Sequence, residues 1–109
     1  MIDVTVENFE TEVIAASMST PVLVDFWAPW CGPCRSMAPA FDAAAKQLEP
    51  GMRLGKVNTE EEQGLAARFG IRSIPTLVLL QHGREIARQA GAMGLDDIRR
   101  WALAHTSGR

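Results

Sequence analysis

The sequence predicts an α/β domain built on a mixed five-stranded sheet. Apolar runs of strand length alternate with helical patterns through most of the chain, and two strands near the C-terminus are separated by only a short turn. Strands joined through helices favour parallel pairing with right-handed crossovers, whereas a tight link requires an antiparallel hairpin. The predicted order is βαβαβαββα, with four helices flanking the sheet, in a single domain over residues 1–109.

The first strand and helix are predicted from alternation and from a cap. Residues 2–6 alternate apolar and polar side chains, as a short edge strand does. Asn8 is a candidate N-cap for a helix whose apolar face begins with Phe9 and Val13, and Pro21 closes that helix. We therefore expect one strand and one helix before the centre of the sheet.

The second strand has the pattern of a central strand. Residues 22–28 are continuously apolar except for Asp25, which is typical of a strand buried on both faces. Burial disfavours the charged form of a carboxyl group, so the pKa of Asp25 is expected to be raised. A carboxyl that titrates near neutral pH in this position is a candidate acid or base.

A long helix is predicted after residue 31, and the Pro-Gly pair at residues 50–51 ends it. Pro39 lies inside this helix and is expected to kink it rather than end it, because the apolar face continues beyond the proline. The residues of that face fall at i, i+4, i+7 and i+11: Met37, Phe41, Ala44 and Leu48.

A third strand is predicted over residues 52–57, followed by a short helix. Thr59 and Glu62 have the spacing of a capping box for this helix, and Gly70 stops it.

A hairpin and a final helix complete the predicted fold. Strands over residues 76–80 and 85–90 are joined by a turn at residues 82–83. The last helix is expected to present four residues to the sheet: Leu95, Ile98, Trp101 and Ala102.

Charge and composition exclude several classes of protein. Eleven Lys and Arg against 13 Asp and Glu give a net charge of -2, which provides no basic surface for nucleic acid or an anionic membrane. No apolar run approaches the ~20 residues that a membrane-spanning helix needs. Residues 1–7 contain no basic leader before an apolar stretch, so the expected location is the cytoplasm.

The two cysteines of the chain, Cys31 and Cys34, form a CxxC pair. In a reducing compartment such a pair is poor evidence for a structural disulfide. Cys31 stands at the predicted helix start, where free N–H groups and the helix dipole stabilise a thiolate. Two intervening residues let the sulfur of Cys34, expected to be the less exposed, reach that of Cys31. The pair is therefore predicted to exchange disulfides.

Zinc binding is the alternative interpretation of a CxxC pair, because the pair supplies half of a tetrahedral site. The two histidines, His82 and His105, are too far apart for the usual ligand spacing and fall in different predicted elements. We therefore expect no metal.

The segment Trp-Ala-Pro-Trp-Cys-Gly-Pro-Cys at residues 27–34 resembles the active-site motif of the thioredoxin family. The resemblance implies a thioredoxin fold and a protein-disulfide reductase whose only redox group is the Cys31–Cys34 disulfide, with no separate cofactor. It also implies recycling by an NADPH-dependent thioredoxin reductase and action on disulfide-containing client proteins. The sequence does not fix the oligomeric state, for which a monomer is the default expectation. Further elements that match the family lie along the chain: residues 24–26, Pro39, Lys56, residues 74–76, Gly83 and Gly91.

The resemblance assigns roles to individual residues. It implies that Cys31 attacks the client disulfide and that Cys34 resolves the mixed disulfide. Asp25 would take the proton of Cys34, with Lys56 as the partner of that carboxyl group. The remaining implied roles are tuning of the reduction potential by Gly32 and Pro33, and docking of the client by Trp30, Gly32, Pro33, Ile74, Pro75, Gly91 and Ala92.

Pro75 resembles the cis-proline that faces the cysteines in this family, although an X-Pro bond is cis in only about 5–6% of cases in general. Ser73 departs from the small Gly or Ala that many relatives carry before Ile74, and it bears on client docking.

Two other functions remain open at this stage. One is a redox-independent binding or assembly module on the same fold, and the other is an oxidant or isomerase of an oxidising compartment. The more oxidising relatives generally carry a His between the cysteines. The Gly-Pro pair at residues 32–33 therefore favours a reductant.

Overall fold

The computed structural model of the chain describes residues 1–106. Its five strands form one sheet in the order β1-β3-β2-β4-β5. β3 pairs in parallel with β1 and β2, whereas β4 is antiparallel to β2 and β5. The predicted mixed sheet is confirmed. The strands are β1 (Ile2–Asp3), β2 (Val22–Trp27), β3 (Arg53–Asn58), β4 (Thr76–Gln81) and β5 (Arg84–Ala90).

Helices connect the strands in the predicted order. The first helix, α1, is a wide helix of π type over Glu10–Ala15 that tightens into a 3₁₀ turn over Ala16–Met18. Within the described residues, no helix combines the length and the apolar character that crossing a membrane requires. The other helices are α2 (Gly32–Leu48), α3 (Gln63–Arg68) and α4 (Leu95–Thr106).

The sheet separates two apolar layers, and alternation along β2 decides which side chain joins which layer. Leu23 packs in the layer formed with α2 and α4, whereas Val24 and Phe26 pack in the layer formed with α1 and α3. Asp25 is two residues from Leu23 and therefore lies on the face of β2 that α2 covers. β2 thus places its one carboxyl group beneath the helix that carries the cysteines.

β2 to β5 begin and end within one residue of the predicted ranges, but β1 is much shorter than predicted. It ends at Asp3 because the chain turns away, and Asn8 closes that turn: its Oδ1 accepts the N–H of Thr5 at 2.8 Å, and its Nδ2 donates to the Asp3 carbonyl at 3.0 Å. The prediction that Asn8 caps α1 is therefore wrong. Asn side chains compete in this way for nearby backbone groups.

The predicted capping box before α3 is also wrong, because tertiary partners take both side chains. The hydroxyl of Thr59 donates to the Trp27 carbonyl at 3.0 Å, and Glu62 Oε1 accepts the N–H of Val6 at 3.0 Å. Gly70 does end α3, with a φ of 60° that favours glycine.

α2 runs through Pro39 to Leu48, so the prediction that this proline does not end the helix is confirmed. The kink at Pro39 stays a prediction. Of the four residues expected to face the sheet from α4, Ile98 and Ala102 are buried, and Leu95 and Trp101 are partly buried against the same core layer.

Ser17 joins the 3₁₀ turn after α1 to the β4–β5 hairpin. Its buried hydroxyl donates to the Ile14 carbonyl at 2.7 Å and accepts the N–H of Gly83 at 2.9 Å. Ser17→Ala would leave that N–H unsatisfied, so we expect the free energy of unfolding to fall by about 1–3 kcal/mol. Urea unfolding measures this loss, with the exposed Ser19→Ala as control. Equal midpoints for the two variants would contradict the assignment.

Candidate active site

Cys31 and Cys34 are joined by a disulfide at the start of α2. The chain leaves β2 at Trp27, and the N–H of Cys31 donates to the Ala28 carbonyl at 3.1 Å, which closes the loop before the helix. The Cα atoms of the two cysteines are 5.2 Å apart, within the usual range for a disulfide. Among residues 1–106, no three His, Cys, Asp or Glu side chains are grouped so as to hold a metal ion.

Cys31 occupies the N-cap position of α2, as its place in the sequence predicted. Its Sγ accepts the N–H of Cys34 at 3.2 Å and lies 3.7 Å from the Ile74 carbonyl oxygen. The N-terminus of a 17-residue helix carries a partial positive charge. After reduction, the N–H of Cys34 and this charge both stabilise a thiolate on Cys31, which is the nucleophilic form of the residue.

The two cysteines differ less in exposure than the sequence suggested. Cys34 is 2% exposed and Cys31 is 5% exposed, so Cys34 is the more buried of the pair, as expected. Cys31 is nevertheless also buried in the disulfide state. Partly buried Trp27 and Ile74 pack around the cysteines. A client must therefore approach Cys31 through the exposed residues that surround it.

Asp25 is the one buried carboxyl group among residues 1–106, and it lies within the sheet. It is 1% exposed, and within the described residues its Oδ1 has no hydrogen-bond partner. Burial raises the pKa of Asp25 from 3.8 to about 7, the positive charge of Lys56 opposes that rise, and the negative charge of Asp42 adds to it. The expected raised pKa is thus confirmed.

Lys56 lies beside Asp25 in the sheet, but its ammonium group is placed over the Trp27 ring. The parallel register pairs the two residues across β2 and β3, and the Lys56 ammonium lies over the Trp27 ring, 4.5 Å from its centroid. A cation over an indole face is stabilised by the ring quadrupole. The side chain of Lys56 also lines a cleft with Asn58 and Glu61, so its charge acts on Asp25 from the edge of the core.

The sequence did not identify Asp42 or Trp27 as electrostatic partners in this group. Asp42 follows Phe41 in α2, and its influence on Asp25 becomes visible only once the helix is packed on β2. Trp27 sits at the end of β2, where its ring supports Lys56.

A groove of about 220 Å³ lies next to the disulfide, between Trp30 and Ile74. Trp30 is 66% exposed, which is unusual for so large an apolar side chain. The sequence predicted the contributions of Trp30 and Ile74 to this surface. The groove residues that it did not identify come from the loop after β3, from α3 and from the segment after α3: Thr59, Ala66, Ile71 and Arg72.

Two loops border the disulfide on the side of β4. The Ile74–Pro75 bond is cis, as the resemblance implied, and Pro75 is buried. The N–H of Gly91 donates to the Pro75 carbonyl at 2.9 Å, and Gly91 has a φ of 97°, which favours glycine. Gly91 and Ala92 are exposed, as are Gly32 and Pro33 between the cysteines. The structure thus brings the predicted docking residues to one end of the sheet.

Comparisons with known proteins identify the family to which the chain is similar. The family model described as Thioredoxin matches residues 1–104. Thioredoxin 1 of Synechococcus elongatus is 48% identical over 90 residues, which cover 83% of this chain and 82% of that protein. The thioredoxin of Haemophilus influenzae is 40% identical over 88 residues, covering 81% of this chain and 82% of the relative.

A solved structure gives the same result in three dimensions. The X-ray structure of Fasciola hepatica thioredoxin superposes with a TM-score of 0.87 at 32% sequence identity, and the match covers 97% of this chain and 100% of that one.

Proposed function

The chain belongs to the thioredoxin family and is a protein-disulfide oxidoreductase, and on that premise we propose that it works as a reductant in which Cys31 attacks and Cys34 resolves. The position of Cys31 carries this proposal. Its Sγ accepts the N–H of Cys34 at the positive end of α2, so negative charge is stabilised on Cys31. No N–H contact of this kind is found for Cys34 within residues 1–106.

The reaction transfers two electrons from the protein to a client. The Cys31 thiolate attacks one sulfur of the client disulfide, a mixed disulfide forms, and the other client sulfur leaves as a thiolate. Cys34 then loses its proton and attacks the Cys31 sulfur. The Cys31–Cys34 disulfide forms and the second client thiolate leaves. The client is reduced by two electrons and the protein is oxidised by two.

We propose that Asp25 is the base that accepts the proton that Cys34 must lose. Asp25 lies on the face of β2 that α2 covers, and its pKa of about 7 lets it exist as a base at neutral pH and still accept a proton. Lys56 is proposed as the partner that keeps this pKa from rising further. Gly32 and Pro33 are proposed to tune the reduction potential.

The proposed docking surface consists of the groove and the loops that border the disulfide. Trp30 and Ile74 supply apolar contact, and the exposed backbone at Gly91 and Ala92 lets an extended client segment approach closely. Pro75 is buried, so its proposed contribution is to hold the backbone of Ile74 toward the client rather than to present its ring.

A reductant needs a source of electrons and a reducing compartment. We propose an NADPH-dependent thioredoxin reductase as the electron source, disulfide-containing proteins as clients, and the cytoplasm as the location. The Cys31–Cys34 disulfide would be the only redox group, in one domain that acts as a monomer.

An insulin-reduction assay coupled to an NADPH-dependent thioredoxin reductase tests this proposal. The wild-type protein is expected to consume NADPH in proportion to the insulin disulfides reduced, and Cys31→Ser is expected to show no turnover. Equal rates for the two proteins would exclude the proposal. A partner complex that survived replacement of both cysteines, in a protein without turnover, would instead identify a redox-independent binding module.

A further inference from the structure

We propose that Met37 is a positioning residue for client docking. Its thioether sulfur holds the loop of residues 91–94 in place. This inference rests on the proposed function, because it assigns the loop to the docking surface. Met37 belongs to α2, and the loop connects β5 to α4. The N–H of Met93 donates to Met37 Sδ at 3.5 Å.

A continuous series of contacts links the segments around the disulfide, and the sulfur of Met37 is part of it. Cys31 Sγ lies beside the Ile74 carbonyl, and Pro75 accepts the N–H of Gly91. Two residues after Gly91, the N–H of Met93 connects the loop to α2 at Met37, which is one helical turn after Cys34. The loop is thus fastened at one end to the segment before β4 and at the other to the helix of the cysteines.

Burial shows that Met37 has no direct contact with a client. Its side chain is 2% exposed and packs in the core layer between the sheet and α2, whereas Gly91 and Ala92 are exposed. Met37 therefore acts only through the backbone that it fixes. A fixed loop binds an extended segment with less loss of conformational freedom than a mobile one, which lowers the KM for a client.

Met37→Leu is the test, because leucine has nearly the volume of methionine but cannot accept a hydrogen bond. The matched control is Met52→Leu. Met52 is buried in the same core layer, and its sulfur accepts no hydrogen bond from the described residues. Both variants lose one buried thioether, and only Met37→Leu loses the contact to the loop.

Two measurements distinguish positioning from a general effect on stability. In Met37→Leu, amide hydrogen exchange at Met93 is expected to be about tenfold faster than in wild type and in Met52→Leu. The KM for insulin in the coupled assay is expected to rise about three- to fivefold, the range of one weak hydrogen bond, with kcat within about twofold of wild type. Met37→Ile removes the sulfur with a different shape and is expected to give the same results.

An unchanged KM or an unchanged exchange rate at Met93 in the folded Met37 variants would overturn the inference. Failure of the proposed function has a different signature, because the wild-type protein itself would then show no turnover. The exchange measurement needs no turnover and tests the contact separately.

Discussion

Replacing Cys34 by serine is expected to stop catalytic turnover and to leave client proteins covalently attached to Cys31. The first attack requires only the Cys31 thiolate, which the N–H of residue 34 and the helix dipole still stabilise in the variant. The second step requires a thiol at position 34, and a hydroxyl cannot displace the client sulfur under these conditions. Non-reducing electrophoresis and mass spectrometry of the trapped species measure the outcome and identify the clients.

The control separates the two thiols. Cys31→Ser keeps the Cys34 thiol, but that thiol is 2% exposed and is not the acceptor of the helix N–H, so it is expected to trap little client. Clients attached equally to both variants would contradict the proposed division of roles, and clients attached mainly through Cys34 would reverse it.

The fold and the reactive pair could be predicted from the sequence because their signals are local. The apolar run of β2, the Pro-Gly pair after α2 and the short turn before β5 each specify their element by spacing and by backbone chemistry. Cys31 and Cys34 are three residues apart in the first turn of one helix, so their proximity also follows from local geometry.

The remaining site residues depend on tertiary packing. Asn8 and Thr59 carry side chains suited to helix capping, yet Asn8 bonds within the turn after β1 and Thr59 bonds to the end of β2. The contacts of Met37 with Met93 and of Lys56 with Trp27 join segments that no sequence period relates. The near burial of Cys31 likewise depends on Ile74, which is 43 residues away.

Replacing Asp25 by asparagine is expected to stabilise the oxidised protein at alkaline pH. The pKa of Asp25 is about 7 in the folded state, far above its ordinary value of 3.8. Between these values the folded state binds a proton that the unfolded state does not, so stability falls as pH rises from about 4 to 7 and stays low above that. At about 1.4 kcal/mol for each pH unit, the wild-type loss is on the order of 4 kcal/mol, and Asp25→Asn avoids it.

Urea unfolding of the oxidised proteins at several pH values measures this difference. The two proteins are expected to have nearly equal stability near pH 4 and to diverge as pH rises. Asp96→Asn, which changes an exposed carboxyl group on α4, is the control and is expected to follow wild type. In Lys56→Met, which retains Asp25, the fall in stability is expected to extend to higher pH than in wild type, because the Lys56 charge holds the pKa of Asp25 down. Parallel pH profiles for wild type and Asp25→Asn would show that Asp25 does not titrate as proposed.

The same Asp25→Asn variant is expected to resolve the mixed disulfide more slowly while it attacks the client at nearly the wild-type rate. Asparagine cannot accept the proton of Cys34, whereas the first step uses the thiolate at the N-terminus of α2. Single-turnover kinetics separate the two steps. If Asp25 only supported the fold, replacing it would lower the stability and the activity of the protein together. Higher stability combined with slower resolution therefore indicates a buried base that serves the chemistry. If both steps kept their wild-type rates, Asp25 would have no role in proton transfer, whatever its effect on stability.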